Sequence, residues 1–174
     1  MFMDPKITLS GMNFQVTDTV ADFGAGSGFL AFTLAQMIPS GHVFAIEINK
    51  DMVTRIAKEA EDKNITNIHP LWGDIEILGG SGLADAAVDT VVLSNVLFQL
   101  EDKKGVFAEV KRVLKPGGRV LLIDWSDSFS GLGPAPHHVF TKDQAMALLG
   151  EFGFIIKNDN LPVGDHHYAI LSSI

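Results

Sequence analysis

Val20-Ala21-Asp22-Phe23-Gly24-Ala25-Gly26-Ser27-Gly28-Phe29-Leu30-Ala31 decides how the rest of the chain is read. An apolar, strand-like run carries an acid near its end, enters a loop with alternating glycines, and continues as a helix pattern. Closely spaced glycines let backbone N–H groups approach a ligand that any Cβ would push away. The helix start behind them offers unpaired donors and a partial positive charge. By itself the loop points to a ligand with phosphates, ribose or a carboxylate, and the residues downstream of it select the cofactor.

Outward from the loop, apolar runs alternate with amphipathic ones. Strands are predicted over residues 20–24, 42–48, 68–73, 88–94 and 119–125. Helices are predicted over 29–37, over 51–63 with Asn49 as cap, over 103–114 before Pro116-Gly117-Gly118, and after Thr141 through Glu151. A short helix after Asp4-Pro5 precedes them. Gly79-Gly80-Ser81-Gly82 reads as a flexible loop, as does the Ser-, Gly- and Pro-rich stretch from Ser126 to Pro136. Two last strands, 154–160 and 166–172, are joined by a link too short for a crossover helix, which predicts an antiparallel hairpin. The implied fold is α/β: a Rossmann-like, doubly wound, mainly parallel seven-stranded sheet with helices on both faces. Ligands of such sheets bind beyond the strand C-termini, where Glu47, Asp74, Asn95 and Asp124 would join the glycine loop.

Length and composition narrow the classes. At 174 residues, 47% hydrophobic and 20% charged, the chain fits one folded domain over 1–174, with 1–18 as a short extension or lid. A net charge of −8 is the wrong sign for tracking nucleic-acid phosphates and ranks a small molecule above RNA or DNA as partner. The absence of cysteine excludes disulfides, thiolate zinc sites and cysteine nucleophiles from this chain. Neither a signal peptide nor a membrane-spanning run is read, so the expected location is cytoplasmic. Six histidines without ligand spacing give no metal site.

Two nucleotide-binding patterns fail on residue identity. A Walker loop needs Gly-Lys-Ser/Thr, which is missing here. A dinucleotide fingerprint needs a third small residue where Phe29 stands. The actual pattern is Asp22-x-Gly24-x-Gly26-x-Gly28. With Ala45-Ile46-Glu47, Trp72-Gly73-Asp74-Ile75, Asp89-Thr90-Val91-Val92-Leu93-Ser94-Asn95 and Leu114-Lys115-Pro116-Gly117-Gly118-Arg119 in that order, the chain resembles the class I S-adenosylmethionine (SAM)-dependent methyltransferases over nearly its whole length. Gly133-Pro134-x-Pro136-His137 and Asp165-His166-His167-Tyr168 resemble the tail of the small ubiquinone/menaquinone-biosynthesis-like members.

The resemblance implies SAM as methyl donor and S-adenosylhomocysteine (SAH) as product. It implies that Gly24, Ala25, Gly26 and Gly28 approach the methionine part with main chain and that Glu47, followed by Ile48, accepts from both ribose hydroxyls. It also implies that Asp74 receives the adenine amino group while Ile75 covers the ring. Asp22 has two readings, a loop anchor or a partner of the cofactor amino group. Asn95 is expected to touch cofactor or acceptor, and His137 is the first candidate for a base, should the nucleophile carry a proton. The acceptor is expected to be a small molecule with an O, N or C nucleophile. The Pro-Pro-aromatic segment of amino-directed adenine or glutamine enzymes is replaced by Ser94-Asn95-Val96-Leu97, and the cysteines on which cytosine-C5 and arsenite enzymes depend are missing. Two other readings stay open: a SAM-binding module without robust catalysis, and an NAD(P)-dependent oxidoreductase, which lacks support from a Tyr-x-x-x-Lys pair. Relatives place helices ahead of the first motif, so Phe2, Met3, Ile7, Leu9, Met12 and Phe14 are expected to form a reduced lid or to pack on the sheet edge.

Overall fold

A computed structural model describes residues 5–129, 131 and 133–174, with the side chains of 5 and 6 left aside. Seven strands form one sheet: β1 (Thr19–Phe23), β2 (His42–Glu47), β3 (Ile68–Trp72), β4 (Val88–Ser94), β5 (Leu114–Trp125), β6 (Ile155–Asn158) and β7 (His167–Ser173). Their spatial order is β3-β2-β1-β4-β5-β7-β6. The first five are parallel, and β7 runs antiparallel to both β5 and β6. The strand order reverses between β1 and β4, the position where doubly wound sheets open a binding crevice.

Helices α1 (Pro5–Ser10), α2 (Phe29–Met37), α3 (Lys50–Asp62), α4 (Lys103–Val113) and α5 (Lys142–Glu151) complete the chain. Side-chain alternation along the central strands splits the interior into two cores. Val91, Leu93, Val120 and Leu122 face Phe107 and Val110 of α4 and Leu149 of α5. Val92, Leu121 and Ile123 join Leu34 of α2 and Ile56 of α3 in the second core. Leu9 and Met12 are fully buried in that second core, and Thr8 Oγ1 donates to the Pro162 carbonyl at 2.9 Å. This segment therefore packs on the fold, while Phe2 and Met3 lie outside the described residues.

The sequence-based boundaries need three corrections. β5 begins at Leu114 because the Lys115–Gly118 turn is absorbed as an irregularity: Val88 pairs with Leu114 but Thr90 pairs with Arg119. A short 3-10 turn over Leu97–Gln99, unforeseen, comes after β4 and is held by Asp124, whose Oδ2 accepts from Leu97 N at 2.9 Å. The 79–82 loop is tied down. Glu109 of α4, fully buried, accepts from Gly79 N at 2.7 Å and from Ser81 through N and Oγ. Arg112 completes the network with Nε and Nη2 on the same carboxylate, at 2.8 and 2.7 Å, and with Nη1 on Asp85 at 2.6 Å.

Candidate active site at the carboxyl edge of the sheet

The reversal in strand order opens a cavity of about 600 Å³ between the ends of β1, β2 and β4. Its walls include Asp22, Glu47, Asp74 and Asn95, each carried there by the end of its strand or by the adjoining turn. Gly24, Ala25, Gly26, Ile48 and Ile75 also line it. Gly28 does not; it supports the loop from behind, where an added Cβ would come within 2.9 Å of Ile56.

Hydrogen bonds to β2 fix the glycine loop. Gly24 N and Ala25 N both donate to the Ile46 carbonyl, at 2.9 and 3.0 Å. Gly26 N donates to Glu47 Oε2 at 2.8 Å, and the other oxygen of Glu47 accepts from Asn49 N at 2.9 Å. Asn49 in turn caps α3 by accepting from Asp51 N and Met52 N. Glu47 thus ties loop, strand and helix together with two of the roughly four acceptor positions of a carboxylate, leaving the remainder for a ligand. Two glycines are conformationally required. Gly24 has φ +78°, and a Cβ there would sit 2.6 Å from Val96; Gly26 has φ +53° and borders open space.

Two buried oxygens in this cavity have no hydrogen-bond partner: Asp22 Oδ2 and Asn95 Oδ1. Buried polar groups are normally paired, so two unpaired acceptors on one cavity call for a ligand that brings donors. Asp22 is 1% exposed, and burial, reinforced by the negative charge of Glu47, pushes its carboxyl up to about 7. Asn95 holds φ +54°, a conformation that asparagine tolerates better than most residues. Asp74 Oδ1 accepts from Glu76 N at 3.0 Å, and the Asp74 amide donates to the Gly80 carbonyl at 3.0 Å. The loop anchored by Glu109 therefore also carries Asp74.

The raised Asp22 carboxyl has a measurable consequence. A group with a folded pKa above its unfolded value binds its proton more tightly in the native state, so stability falls as pH rises between the two, here from about 4 to about 7. Asp22→Asn should remove that dependence and stabilise the ligand-free protein at pH 8 relative to pH 5, on the order of 2 kcal/mol. Urea melts of both proteins at the two pH values check it. A cationic ligand beside Asp22 would favour the ionised form, so its affinity should rise over the same range.

His137 stands elsewhere. It is exposed and lines a neighbouring cavity of about 630 Å³ with Phe98, His138 and Phe140, joined to the first only through shared walls at Gln99 and Leu100. Its ring meets that of His138 at 4.1 Å. Asp124 is buried beneath the floor, where burial raises its carboxyl to about 6 and Leu97 and Trp125 amides donate to it, so it serves the turn rather than the cavity. Gln99, which sequence reasoning missed, joins the cavity wall and donates through Nε2 to the Asn95 carbonyl at 3.0 Å. Among the described residues, no group of three or more His, Cys, Asp or Glu is placed to hold a metal ion, and no helix is long and apolar enough to cross a membrane.

A seven-stranded doubly wound sheet with a glycine loop after β1 and acids at the ends of β2 and β3 places a ligand site at the switch in strand order, and the comparisons with known proteins give its class. The chain belongs to the methyltransferase domain family, whose model matches residues 15–159. Its sequence is 33% identical over 108 residues to the arsenite methyltransferase of Halobacterium salinarum, covering 62% of this chain and 27% of that protein. It is 31% identical over 123 residues to the ubiquinone/menaquinone biosynthesis C-methyltransferase UbiE of Francisella tularensis, covering 70% of this chain and 48% of that one. The chain thus spans between a quarter and a half of the length of these curated relatives. A SAM-dependent methyltransferase from Aquifex aeolicus superposes with a TM-score of 0.90 at 25% identity, covering 99% of this chain and 90% of that chain. The cofactor of the class is SAM, and the donor set fits it: the ligand's ammonium, hydroxyl and adenine amino groups are donors, and the cavity presents unpaired acceptors.

Proposed function

We propose that this protein transfers the methyl group of SAM to an oxygen, nitrogen or carbon of a small-molecule acceptor. The observation that carries the reading is the pair of unpartnered buried oxygens, Asp22 Oδ2 and Asn95 Oδ1, on one cavity beside the open ground at Gly26. When bound, the cofactor supplies an activated methyl carbon on a cationic sulfur, so displacement needs alignment more than acid–base chemistry. Good alignment is worth roughly 7–11 kcal/mol.

In this reading Asp22 takes the cofactor ammonium and Glu47 both ribose hydroxyls, a charge-assisted bidentate contact. Asp74 takes the adenine amino group, with Ile75 and Ile48 against the ring. Gly24, Ala25 and Gly26 let the main chain approach the methionine part, and Gly28 allows the loop its turn. Asn95 meets the cofactor or the acceptor, and His137 meets the acceptor. With no carboxylate hydrogen-bonded to it among the described residues, His137 is proposed as an acceptor contact and not as the group on which proton removal depends.

Three relatives with matching segments are arsenite methyltransferases, yet this chain contains no thiol to bind arsenite, which favours O, N or C acceptors. The NAD(P) reading suffers from Phe29, 63% exposed and lining the cavity at the start of α2, where a pyrophosphate would need close approach. The binding-module reading keeps one point in its favour. The cyclase SpnF shares this fold with a TM-score of 0.76 at 20% identity, so the fold alone does not dictate methyl transfer. Incubation with methyl-labelled SAM and a panel of phenols, quinols, amines and carboxylates tests the proposal. Label transfer to at least one acceptor is expected; SAM binding with no transfer to any of them would favour the binding module.

A further inference from the structure

The cofactor cavity presents unpaired acceptors, and its neighbour presents the reverse. That second cavity, of about 630 Å³, is walled by Phe98 and Leu100 in the turn after β4, Lys103 at the start of α4, and His137 and Phe140 in the segment between β5 and α5. Its volume is that of a small-molecule site. Gln99 and Leu100 line both cavities, so one turn forms the boundary between them. Gln99 Nε2 donates to the Asn95 carbonyl at 3.0 Å, which sets that boundary beside a residue of the cofactor cavity.

The polar groups of this lining are mostly donors. Lys103 Nζ donates to the Leu100 carbonyl at 2.7 Å and lies 5.4 Å from the centroid of the Phe140 ring. An ammonium has three donors, so two remain. No carboxylate forms an ion pair with it among the described residues. Asp124, buried beneath the turn, feels its charge, but the Leu97 and Trp125 amides occupy that carboxylate. Gln144 of α5 accepts from Thr141 N through Oε1 at 2.9 Å, and its Nε2 has no partner among the described residues. The rings of His137 and His138 meet at 4.1 Å, and neither makes a hydrogen bond among the described residues. Glu101, which is exposed, is the single carboxylate in the described lining.

Such a lining selects a ligand that brings acceptors on a flat apolar body. A carboxylate uses the two spare donors of an ammonium in charge-assisted hydrogen bonds, stronger than those to a neutral hydroxyl. The amide of Gln144 and the N–H of an imidazole add further donors. Phe98 and Phe140 supply ring faces for an aromatic body. A cationic amine would meet the Lys103 charge instead, and like charges brought together are penalised.

We infer that this second cavity is the acceptor compartment and that the acceptor is an aromatic acid, with its carboxylate at Lys103 and its ring between Phe98 and Phe140. The inference rests on the reading of the chain as a SAM-dependent methyltransferase. The charged end is held away from the cofactor, and the end that carries the nucleophile lies at the Gln99–Leu100 boundary, toward Asn95. Lys103 is then a specificity-determining residue, and His137 is a binding contact within the same compartment. Glu101 opposes the acid and limits its affinity.

Calorimetric titration of SAH-saturated protein with m-hydroxybenzoate, m-hydroxybenzyl alcohol and m-hydroxybenzylamine tests it. The acid should bind about tenfold tighter than the alcohol, and the amine more weakly than either. Lys103→Met should abolish the acid's advantage over the alcohol, with SAH affinity within about twofold of the parent. Lys103→Arg should keep the advantage, which separates loss of charge from damage to the turn. Glu101→Gln should tighten the acid and leave the alcohol unchanged. Interligand nuclear Overhauser effects between bound SAH and the ring protons of the acid should appear in the parent protein. No binding of the acid, an amine that binds as tightly, an advantage that survives Lys103→Met, or two bound ligands without such an effect overturns this inference alone. Failure of SAH to bind the parent overturns the underlying reading and this one with it.

Discussion

Glu47→Ala should raise the dissociation constant for SAM and SAH by a hundredfold or more. Its carboxylate holds Gly26 N and Asn49 N, so the variant loses the loop's brace before any ligand arrives. In the proposed complex it loses both ribose contacts as well. Hydrogen bonds to a charged group contribute roughly 1.5–3 kcal/mol each, and two of them correspond to a hundredfold or more in affinity. Glu47→Gln separates the two roles. One amide oxygen can keep Gly26 N or Asn49 N but not both, and it accepts at most one hydroxyl, so an intermediate loss is expected. Calorimetric titration of each variant with SAH is the check. Unchanged affinity in Glu47→Ala would show that the ribose lies elsewhere.

Glu109→Ala is expected to destabilise the fold by about 3–5 kcal/mol, the range for breaking a buried ion pair and stranding its partner. Glu109 has no exposed side-chain surface, whereas Arg112 keeps 19% of its own, so the charge left behind is that of a half-sheltered guanidinium with Asp85 as its other partner. Burial pushes the Glu109 carboxyl up, but the hydrogen bonds from Arg112 and Ser81 and from the Gly79 and Ser81 amides outweigh it and hold the group at about 2. A carboxyl depressed in the folded state gives stability that is present above its unfolded pKa, here about 4.5, and is lost as pH falls toward 2. The parent protein should therefore lose stability below pH 4.5 more steeply than Glu109→Ala, and denaturant melts between pH 5 and pH 3 measure the difference. Because the same loop carries Asp74 through the Gly80 carbonyl, the variant should also bind SAH more weakly than its stability loss at 25 °C alone predicts.

The strands and helices were legible because each buries its residues in a pattern its sequence shows. Val88–Ser94 is apolar on both faces because it lies mid-sheet, and α3 spaces Ile56 and Ala60 four apart because only one stripe is covered. Asn49 and Thr141 were readable as caps since capping needs only a local side-chain oxygen. The features that escaped depend on partners distant in sequence. Nothing near Glu109 distinguishes it from a solvated acid on an amphipathic helix; its burial is fixed by Ser81, 28 residues away. The turn at Leu97 is held by Asp124 from the next strand, and His166 acquires its orientation from Asp127, 39 residues earlier. The shared place of the glycine loop, Glu47, Asp74 and Asn95 was legible because the order of strand ends converts sequence position directly into place on one edge. His137 is drawn toward the same edge by its loop, yet it lines the neighbouring cavity behind Gln99 and Leu100.

The cavity beyond β1, β2 and β4 fits SAM. Isothermal titration of the protein with SAM, SAH and NAD at pH 8 tests it most directly. One equivalent of SAM or SAH should bind, more weakly at pH 5 than at pH 8 as Asp22 takes up its proton, and NAD should give no saturable heat. Saturable binding of NAD with none of SAM or SAH would contradict the account.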